Sequence, residues 1–429
     1  MYNAQKGLRR HTNADITTNT KLEAPEHATP SGMCSVCIMC GECEIGKKAK
    51  TGQTLFPEPF GMQFGGEKRM PDLNDLQILP ELFGKEVFFS EVRTETVLGG
   101  FKSKAPIVVA AMGSTKVASA HGKALAEGAA LAGIPIVIGE NMPATHGKAG
   151  MKERIKPFLD AYDGKHGAVI QQGNCVDIKN KVFETALELG CHGVEVKLGQ
   201  GAKQGLGGEI KFESKEDAVK YAKMEYHIEK NADGTFQRHT PTGAMDEKTL
   251  TELLLKAKDV RVPVWVKIGM GRGIIQVIDL LEKIKKKERV NITCLTIDGH
   301  GGGTGMSPWL VMNEMGVPSA SAMSAIKKKP SFDILLAGGL TTGFDVAKGM
   351  MLGAKGASLG RPFLIAANSN GSKGVANYVN ALKIELQMAA AVLRCSSCEA
   401  MIGRKKNLIA LDAHAREMLG IPNNSKEVL

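Results

Sequence analysis

Residues 297–308 read Ile-Asp-Gly-His-Gly-Gly-Gly-Thr-Gly-Met-Ser-Pro, and they are the most informative segment of the chain. Two further glycine clusters follow it, Ala337–Leu340 and Leu359–Pro362. Each cluster comes after an apolar run with the length of a buried parallel strand. Glycines at successive strand ends let backbone N–H groups approach an anion without a Cβ in the way. The three clusters therefore predict a phosphate-binding site above the last three strands of a (β/α)8 barrel.

Eight apolar runs after residue 90 predict the strands of this barrel. Most are continuous rather than alternating and are rich in Val and Ile, which is typical of strands buried on both faces of a parallel sheet. The runs are Pro106–Met112, Pro135–Gly139, Ala168–Gln171, Val194–Leu198, Pro263–Ile268, Cys294–Asp298, Asp333–Ala337 and Ala357–Leu359.

Helical segments separate these runs, so the fold class is a (β/α)8 TIM barrel with a cysteine-rich extension over residues 1–90 and a C-terminal helix within residues 91–429. The long segment Gly199–Asp246 exceeds a plain βα unit, and its Asn231–Gly234 turn predicts a small hairpin that shapes the substrate site. The predicted helices are His121–Ala132, Lys152–Tyr162, Asn180–Leu189, Thr249–Lys258, Ile274–Lys287, Gly343–Leu352 and the C-terminal amphipathic Val375–Leu393.

The composition of the 429 residues is that of a globular protein, with 43% hydrophobic and 23% charged residues. Neither an apolar run of transmembrane length nor an apolar leader is present, so we expect a cytoplasmic protein without a membrane partner. The net charge of +10 predicts an anionic partner, such as an acidic electron carrier, an anionic substrate or a cofactor phosphate. Nucleic-acid binding is not expected, because the only lysine runs are the short Lys285–Lys287 and Lys327–Lys329.

A cysteine run near the N-terminus has the spacing C-x2-C-x2-C-x2-C. Clustered thiolates in a chain without an export signal indicate metal or cluster ligands rather than disulfides. An iron–sulfur cluster, most simply 4Fe-4S, is the favoured interpretation, and a tetrahedral zinc site is the alternative. The last gap is one residue shorter than in bacterial ferredoxins, so three ligands from the run and a remote fourth are easier to build. The run is Cys34, Cys37, Cys40 and Cys43, with Cys395 and Cys398 as candidates for the remote ligand.

Residues from about 95 to 410 resemble the FMN-binding synthase domain of glutamate synthases. The stretch 299–308 is similar to that family's GHDGGTGASP loop, and 200–208 (QGAKQGLGG) to its QGAKPGEGG loop. Residues 110–114 match its first-strand AMS segment, and Gly139-Glu140 matches its TGEGG segment. The run 338–348 is shared with many flavin-binding barrels.

The resemblance implies that the barrel binds FMN, with the phosphate on Gly339, Gly360 and Arg361. Lys267 would lie near the N1/O2 edge of the ring, where a cation stabilises the anionic reduced flavin; its alternative is a lysine paired with a carboxylate at the barrel mouth. Gln171 would bond the polar edge of the flavin or, alternatively, be a satisfied core amide. The full set of cofactor-binding candidates is Ala111, Met112, Gln171, Lys267, Gly301, Gly302, Gly303, Gly338, Gly339, Gly360 and Arg361.

For catalysis, the resemblance implies that Lys203 binds the substrate's carboxylate or carbonyl and that Glu140 lies in the same pocket; Lys267 is a further catalytic candidate. His300 is a further catalytic candidate, with a helix-capping or backbone-bonded role as the alternative. Glu209 replaces a family glutamine, and a second carboxylate about 4 Å from a substrate carboxylate costs about 4 kcal/mol at an effective dielectric near 20. Unless it is protonated or paired with a cation such as Arg238, Glu209 argues against 2-oxoglutarate.

Two other departures from the family bear on function. The sequence begins Met1-Tyr2, without an amidotransferase domain, so we expect the chain to use free ammonia, a partner's ammonia or another amine. The family's cysteine cluster after the last strand is missing, so the N-terminal cysteines would receive the electrons instead.

We therefore expect a glutamate synthase-like flavin oxidoreductase that acts on an imine or amino-acid-type substrate (CH–NH2 chemistry). Its electrons would come through the iron–sulfur cluster from ferredoxin, a similar acidic carrier or a redox partner subunit, and the chain is expected to form an oligomer. Two alternatives stay open: a flavin-dependent isomerase, and an electron-transfer subunit without a substrate of its own.

Overall fold

The computed structural model describes residues 70–243, 246–303 and 315–423. Its strands, in chain order, are β1 (Leu76–Ile78), β2 (Thr96–Leu98), β3 (Phe101–Ser103), β4 (Ile107–Met112), β5 (Ile136–Ile138), β6 (Val169–Gly173), β7 (Gly193–Lys197), β8 (Glu209–Phe212), β9 (His227–Lys230), β10 (Phe236–His239), β11 (Val264–Gly269), β12 (Ile292–Asp298), β13 (Asp333–Ala337), β14 (Gly356–Leu359) and β15 (Leu408–Ala410).

Eight of these strands form a closed parallel barrel in the order β4-β5-β6-β7-β11-β12-β13-β14. The barrel closes where β14 pairs in parallel with β4, with Ala357 opposite Ile107. Every predicted apolar run corresponds to one barrel strand, so the predicted fold class is confirmed. The strands read as continuous apolar runs because one face packs on the helices while the other fills the barrel interior.

Helices surround the barrel, and those of the described residues are α1 (Lys116–Ala132), α2 (Met142–Ala161), α3 (Cys175–Lys179), α4 (Val182–Glu188), α5 (Lys215–Lys223), α6 (Glu247–Asp259), α7 (Ile274–Glu288), α8 (Ala322–Ala325), α9 (Gly343–Leu352), α10 (Arg361–Val392) and α11 (Ala413–Leu419). The single helix predicted over 180–189 is α4 alone, because Lys181 before it has a left-handed φ of 60° and separates it from α3. The C-terminal amphipathic helix is confirmed as the second part of α10, after a break at Asn370 and Gly371. Among the described residues, no helix combines the length and the apolar character needed to cross a membrane.

The amino-terminal end of the barrel is filled by a tryptophan and a hairpin. Trp265 is fully buried, and its Nε1 donates to the carbonyl of Gly99, 3.0 Å away, in the turn between β2 and β3. A Cβ on Gly99 would lie only 2.3 Å from Trp265 Nε1, so glycine is required there. The functional cavity must therefore lie at the other end.

An accessory antiparallel sheet, in the order β8-β10-β9, is inserted between barrel strands β7 and β11. The hairpin predicted at Asn231–Gly234 is confirmed as the β9–β10 turn, whereas β8 as a third strand was not predicted. Tyr226 fixes this sheet to the barrel, since its hydroxyl donates to Asn141 Oδ1 at 2.8 Å and to Asp177 Oδ1 at 3.0 Å. The accessory sheet is thus held beside the carboxyl-terminal rim of the barrel.

The described part of the predicted N-terminal extension packs against the C-terminal segment. β1 pairs antiparallel with β15, and Leu73 just before it is buried in the main core. The proposed division of the chain near residue 90 stays a prediction.

Candidate functional site

A cavity of about 540 Å³ opens at the carboxyl-terminal end of the barrel strands. It brings together residues that are far apart in the sequence, and most of the predicted site residues line it. The predicted residues in its wall are Ala111, Met112, Glu140, Lys203, Lys267, Gly301, Gly302, Gly303, Gly338, Gly339, Gly360 and Arg361.

One end of the cavity is built from backbone. Gly338 and Gly339 have φ of 92° and 85°, a region that favours glycine, and they turn the chain back after β13. A Cβ on Gly302 would lie 1.8 Å from Asp298 Oδ1, so the glycine loop after β12 can pass over this carboxylate only without a side chain. The Arg361 Nη2 donates to the carbonyl of Gly301, 3.4 Å away, and so joins the third glycine cluster to the first.

This glycine-lined end has the features of an anion site. The long helix α10 begins at Arg361 beside the cavity, and its N-terminus carries a positive partial charge. Loops after the seventh and eighth strands are where barrels of this type commonly hold phosphate. Open backbone, a helix N-terminus and a guanidinium therefore fit a phosphorylated ligand.

The other end of the cavity is built from buried charges. Lys267 on β11 lies 3.2 Å (Nζ to Oδ2) from Asp298 at the end of β12, and both side chains are buried. Burial alone would lower the pKa of Lys267, but the carboxylates of Asp298, Glu195 and Glu140 outweigh it and raise this pKa. Lys267 is therefore a fixed cation in the cavity wall.

A second ion pair joins the loop after β5 to the end of β7. Lys197 Nζ donates to Glu140 Oε1, and Gln200 Nε2 lies 3.3 Å from the same oxygen. Burial would raise the pKa of Glu140, but Lys197 more than compensates, so this pKa is lowered and Glu140 is an anion.

Lys203 is the third lysine at this end of the cavity, and its pKa lies near neutral pH. It lies in the short turn Gly201–Lys203, where the Ala202 N–H donates to the carbonyl of Gly302 at 2.9 Å. Burial, together with the positive charge of Lys197, lowers the pKa of Lys203 to about 7. A small change in its surroundings can therefore switch its charge.

Glu195 lies deeper, beneath these pairs. Burial raises its pKa to about 7, although the nearby Lys267 charge opposes this. Gln172 donates to its Oε1, and the Thr296 hydroxyl lies 3.5 Å from its Oε2. Glu195 is thus a second group that titrates near neutral pH within the barrel.

Sequence reasoning missed several members of this charged end. Lys197, Glu195, Asp298 and Gln200 were not predicted as site residues. A signal was available in the strand pattern. Glu195 and Lys197 lie two residues apart on an otherwise apolar strand, so both side chains point to the same face. Charges on the interior face of a buried strand need partners and mark a polar site.

Three of the predicted catalytic and cofactor-binding residues do not line the cavity. Gln171 is fully buried, and its Nε2 donates to the carbonyls of Ile138 and Gly139 at 3.3 and 3.2 Å. Alternation along β6 turns it away from Gln172, whose side chain reaches Glu195. The Nε2 of Gln171 is bonded within the core, whereas its buried Oε1 has no hydrogen-bond partner among the described residues, so its role toward the flavin stays a prediction.

Glu209 and His300 are the other two predicted residues that lie outside the cavity wall. Glu209 belongs to β8 of the accessory sheet and pairs with His239, not Arg238, with 3.0 Å between Oε1 and Nδ1. Arg238 instead lies between the rings of Tyr221 and Tyr226. His300 is exposed and its N–H donates to the carbonyl of Val317, as in the backbone-bonded alternative.

The predicted cysteine ligands fall into two groups. Cys34, Cys37, Cys40 and Cys43 lie outside the described residues. Cys395 and Cys398 are buried free thiols, and burial raises the pKa of both. They lie at the amino-terminal end of the barrel, since the adjacent Glu399 contacts Lys355, which precedes β14. Their proposed role as remote ligands stays a prediction.

Fold and site together define a (β/α)8 barrel with a phosphate-type cradle at one end of its cavity and a buried charge cluster at the other. The family model described as the conserved region in glutamate synthase matches residues 69–373. The chain therefore belongs to the glutamate synthase family.

Individual relatives agree with this assignment. The chain is 27% identical to an archaeal glutamate synthase (NADPH) of Archaeoglobus fulgidus over 70% of this chain and 52% of that one. It thus spans about half of that relative's length. A glutamate synthase large subunit-like protein of Rhizobium meliloti is 23% identical over 71% of this chain and 67% of its own.

Solved structures show the same fold at low sequence identity. A flavocytochrome b2 variant superposes with a TM-score of 0.54 at 19% identity, covering 83% of this chain and 81% of its own. A mandelate oxidase variant described with an FMN adduct gives 0.52 at 17% identity, covering 77% of this chain and 87% of its own.

Proposed function

We propose that this chain is an FMN-dependent oxidoreductase that transfers hydride between FMN and an imine or amino-acid-type substrate. The observation that carries the proposal is the cavity itself, which joins a glycine-lined anion cradle to a buried cluster of lysines and carboxylates. Family membership and the FMN-containing mandelate oxidase of the same fold support it.

The cradle residues would hold the cofactor phosphate. Gly339, Gly360 and Arg361 line the cavity beside the N-terminus of α10, and open backbone suits phosphate oxygens. When bound, FMN supplies or accepts the hydride of the reaction. Ala111 and Met112, at the end of β4 next to β14, would contact the ring.

Lys267 would supply charge to the polar edge of the ring. A buried cation stabilises negative charge that develops during reduction, and the low local dielectric makes the interaction strong. Asp298 holds the ammonium in place at 3.2 Å and keeps the lysine charged.

Lys203 would bind the carboxylate or carbonyl of the substrate. Glu140, fixed by Lys197, would orient an amine or imine nitrogen beside it. Because Glu209 lies outside the cavity wall and is paired with His239, its charge is no longer an argument against a 2-oxo acid such as 2-oxoglutarate.

Electrons would reach the flavin through an iron–sulfur cluster on Cys34, Cys37 and Cys40, with Cys43 or a remote cysteine as a further ligand. The motif and the net charge of +10 support an acidic electron carrier such as ferredoxin, or a redox partner subunit.

The test begins with the anaerobically purified protein. We expect one FMN per chain and flavin and cluster absorbance that bleaches with dithionite. A colourless preparation that stays apo after incubation with excess FMN would contradict the proposal.

Single-turnover mixing then separates the three functions. The reduced enzyme is mixed with 2-oxoglutarate and ammonia, and with other pairs of a 2-oxo acid and an amine. We expect reoxidation only with both components of the correct pair, together with formation of the amino product. Reoxidation that occurs with an acceptor protein, but with none of the substrate pairs, would identify an electron-transfer subunit. Turnover without net redox change would identify an isomerase.

A further inference from the structure

The accessory sheet gathers two histidines and two carboxylates on one face. His239 on β10 stands directly opposite His227 on β9 and opposite Glu209 on β8. Residues paired across antiparallel strands point to the same face, and so do residues two apart on one strand, which adds Glu229. Backbone register alone therefore brings all four side chains together.

Their donor atoms are close enough for a shared ion. The His227 Nε2 lies 3.1 Å from Glu229 Oε1, and His239 Nε2 lies 3.2 Å from Glu229 Oε2. One donor atom from each of these three residues fits within 4.8 Å of the others. Ligands of a tetrahedral zinc ion are about 3.4 Å apart, since each bond is about 2.0–2.2 Å. Small rotations of the exposed His227 and Glu229 side chains would bring the donor atoms from within 4.8 Å to this spacing.

One buried nitrogen of the cluster faces the other two residues. The Nε2 of His239 is buried and makes no well-aligned hydrogen bond to any described residue; it lies 3.2 Å from Glu229 Oε2, and its ring faces that of His227. Its other nitrogen, Nδ1, lies 3.0 Å from Glu209 Oε1. A carboxylate behind one ring nitrogen of a histidine, with the other nitrogen facing further donors, is the arrangement that orients metal-bound histidines.

We infer that His227, Glu229 and His239 form a binding site for a late first-row divalent metal ion, with Zn²⁺ as the occupant that the donor chemistry favours. Two imidazoles and a carboxylate suit zinc, nickel or cobalt rather than magnesium or calcium, which prefer oxygen ligands. Glu209 supports His239 from behind, and water completes the coordination. Binding of Mg²⁺ or Ca²⁺ by the carboxylates alone would not explain why the imidazole rings of His227 and His239 face each other.

The position of this site gives it a structural role. The ion would join β9 to β10 and, through Glu209, to β8. Glu209 directly follows the loop that carries Gln200 and Lys203 into the cavity, and Thr240, next to His239, accepts from the Gly208 N–H. Metal binding would therefore hold the loop that forms one wall of the cavity.

The test compares zinc binding by the full-length protein and by His227→Ala/His239→Ala. The N-terminal cysteines are intact in both, so any thiolate-bound zinc cancels in the difference. We expect the wild type to retain one Zn²⁺ per chain more than the double variant after gel filtration with excess Zn²⁺. The difference in X-ray absorption should show ligands at about 2.0–2.1 Å and not the Zn–S distance of about 2.3 Å. Equal zinc content and equal affinity in the two proteins would overturn the inference.

Two further variants and a matched control test whether misfolding, rather than loss of ligands, explains the loss of zinc from the double variant. Glu229→Gln changes an exposed side chain and should also lose the ion, whereas Glu209→Gln should weaken it by about 10–100-fold. His414→Ala, an exposed histidine on α11, is the matched control and should bind zinc like the wild type. Added Zn²⁺ should raise the Tm of the wild type and of the control but not of the double variant. Zinc that raises the Tm of all these proteins equally would place the ion elsewhere and contradict the site.

Discussion

The two ends of the cavity are built in different ways. At one end, the glycines after β12 and β13 present backbone, and their positions follow the chain order of the strands. At the other end, Lys267, Asp298, Glu195 and Lys197 come from three strands that meet only when the barrel closes. A site built from backbone is therefore encoded by short contiguous segments of sequence, whereas a side-chain cluster depends on the register of the barrel strands.

The sharpest test of this contrast removes the buried ion pair at the charged end. The double variant Lys267→Met/Asp298→Asn takes away both charges. Both are removed together because an unpaired buried Asp298 would destabilise the fold by about 3–5 kcal/mol. We expect flavin reduction to slow by about 100–1000-fold, as when a stabilising group at a developing anion is lost. FMN content should be unchanged, since the residues proposed to hold its phosphate lie at the other end. Stopped-flow reduction and bound-flavin absorbance measure the two effects; wild-type reduction rates would refute the role of Lys267.

The glycine end should respond in the opposite way. Gly338→Ala places a Cβ at a φ of 92° and 2.7 Å from the carbonyl oxygen of Gly299. A left-handed conformation costs a residue with a side chain about 1–2 kcal/mol, so FMN affinity should fall by about 5–30-fold. Fluorescence titration of apoprotein with FMN gives this number.

A matched control for backbone strain is Gly234→Ala. Gly234 has a φ of 85° in the β9–β10 turn, and an added Cβ meets nothing within 4 Å. It should lower the Tm without changing FMN affinity. An equal loss of FMN affinity in both variants would mean that strain alone, not the cradle, explains the result.

The smallest predicted effect is a pH dependence at Lys203. Burial lowers its pKa to about 7, so its ammonium is present below that pH and lost above it. If this lysine binds an anionic substrate, kcat/KM should fall by up to about tenfold per pH unit above 7, mainly through KM. Lys203→Arg keeps its charge and should abolish this slope. The same slope in both proteins would assign the titration to another group, such as Glu195.

Much of the fold was predictable from local patterns. Each barrel strand is a continuous apolar run ending in glycine or a polar residue, and each glycine cluster proved to line the cavity. These features need no knowledge of distant contacts. The family resemblance also pointed to Lys203, Glu140 and Lys267, and all three line the cavity, although the roles assigned to them stay predictions.

The remaining features depend on register and on inserted elements. Gln171 and Gln172 are adjacent, and only the strand's rotation decides which of them faces the barrel interior. Glu209 follows the Lys203 loop in sequence, but β8 carries it into the accessory sheet, away from the cavity wall. A motif alignment places residues along the chain and does not tell on which face of a strand they lie.

Closure of the barrel by β14 against β4 has a consequence for biosynthesis. Ala357 pairs with Ile107, about 250 residues earlier in the chain, and the helices that follow these strands pack on each other. Such long-range pairing makes folding slow, because a large loop must be closed before its contacts stabilise it. On the ribosome, the edge of β4 would wait unpaired until nearly all of the barrel had been synthesised, which makes the nascent chain a natural client for chaperones.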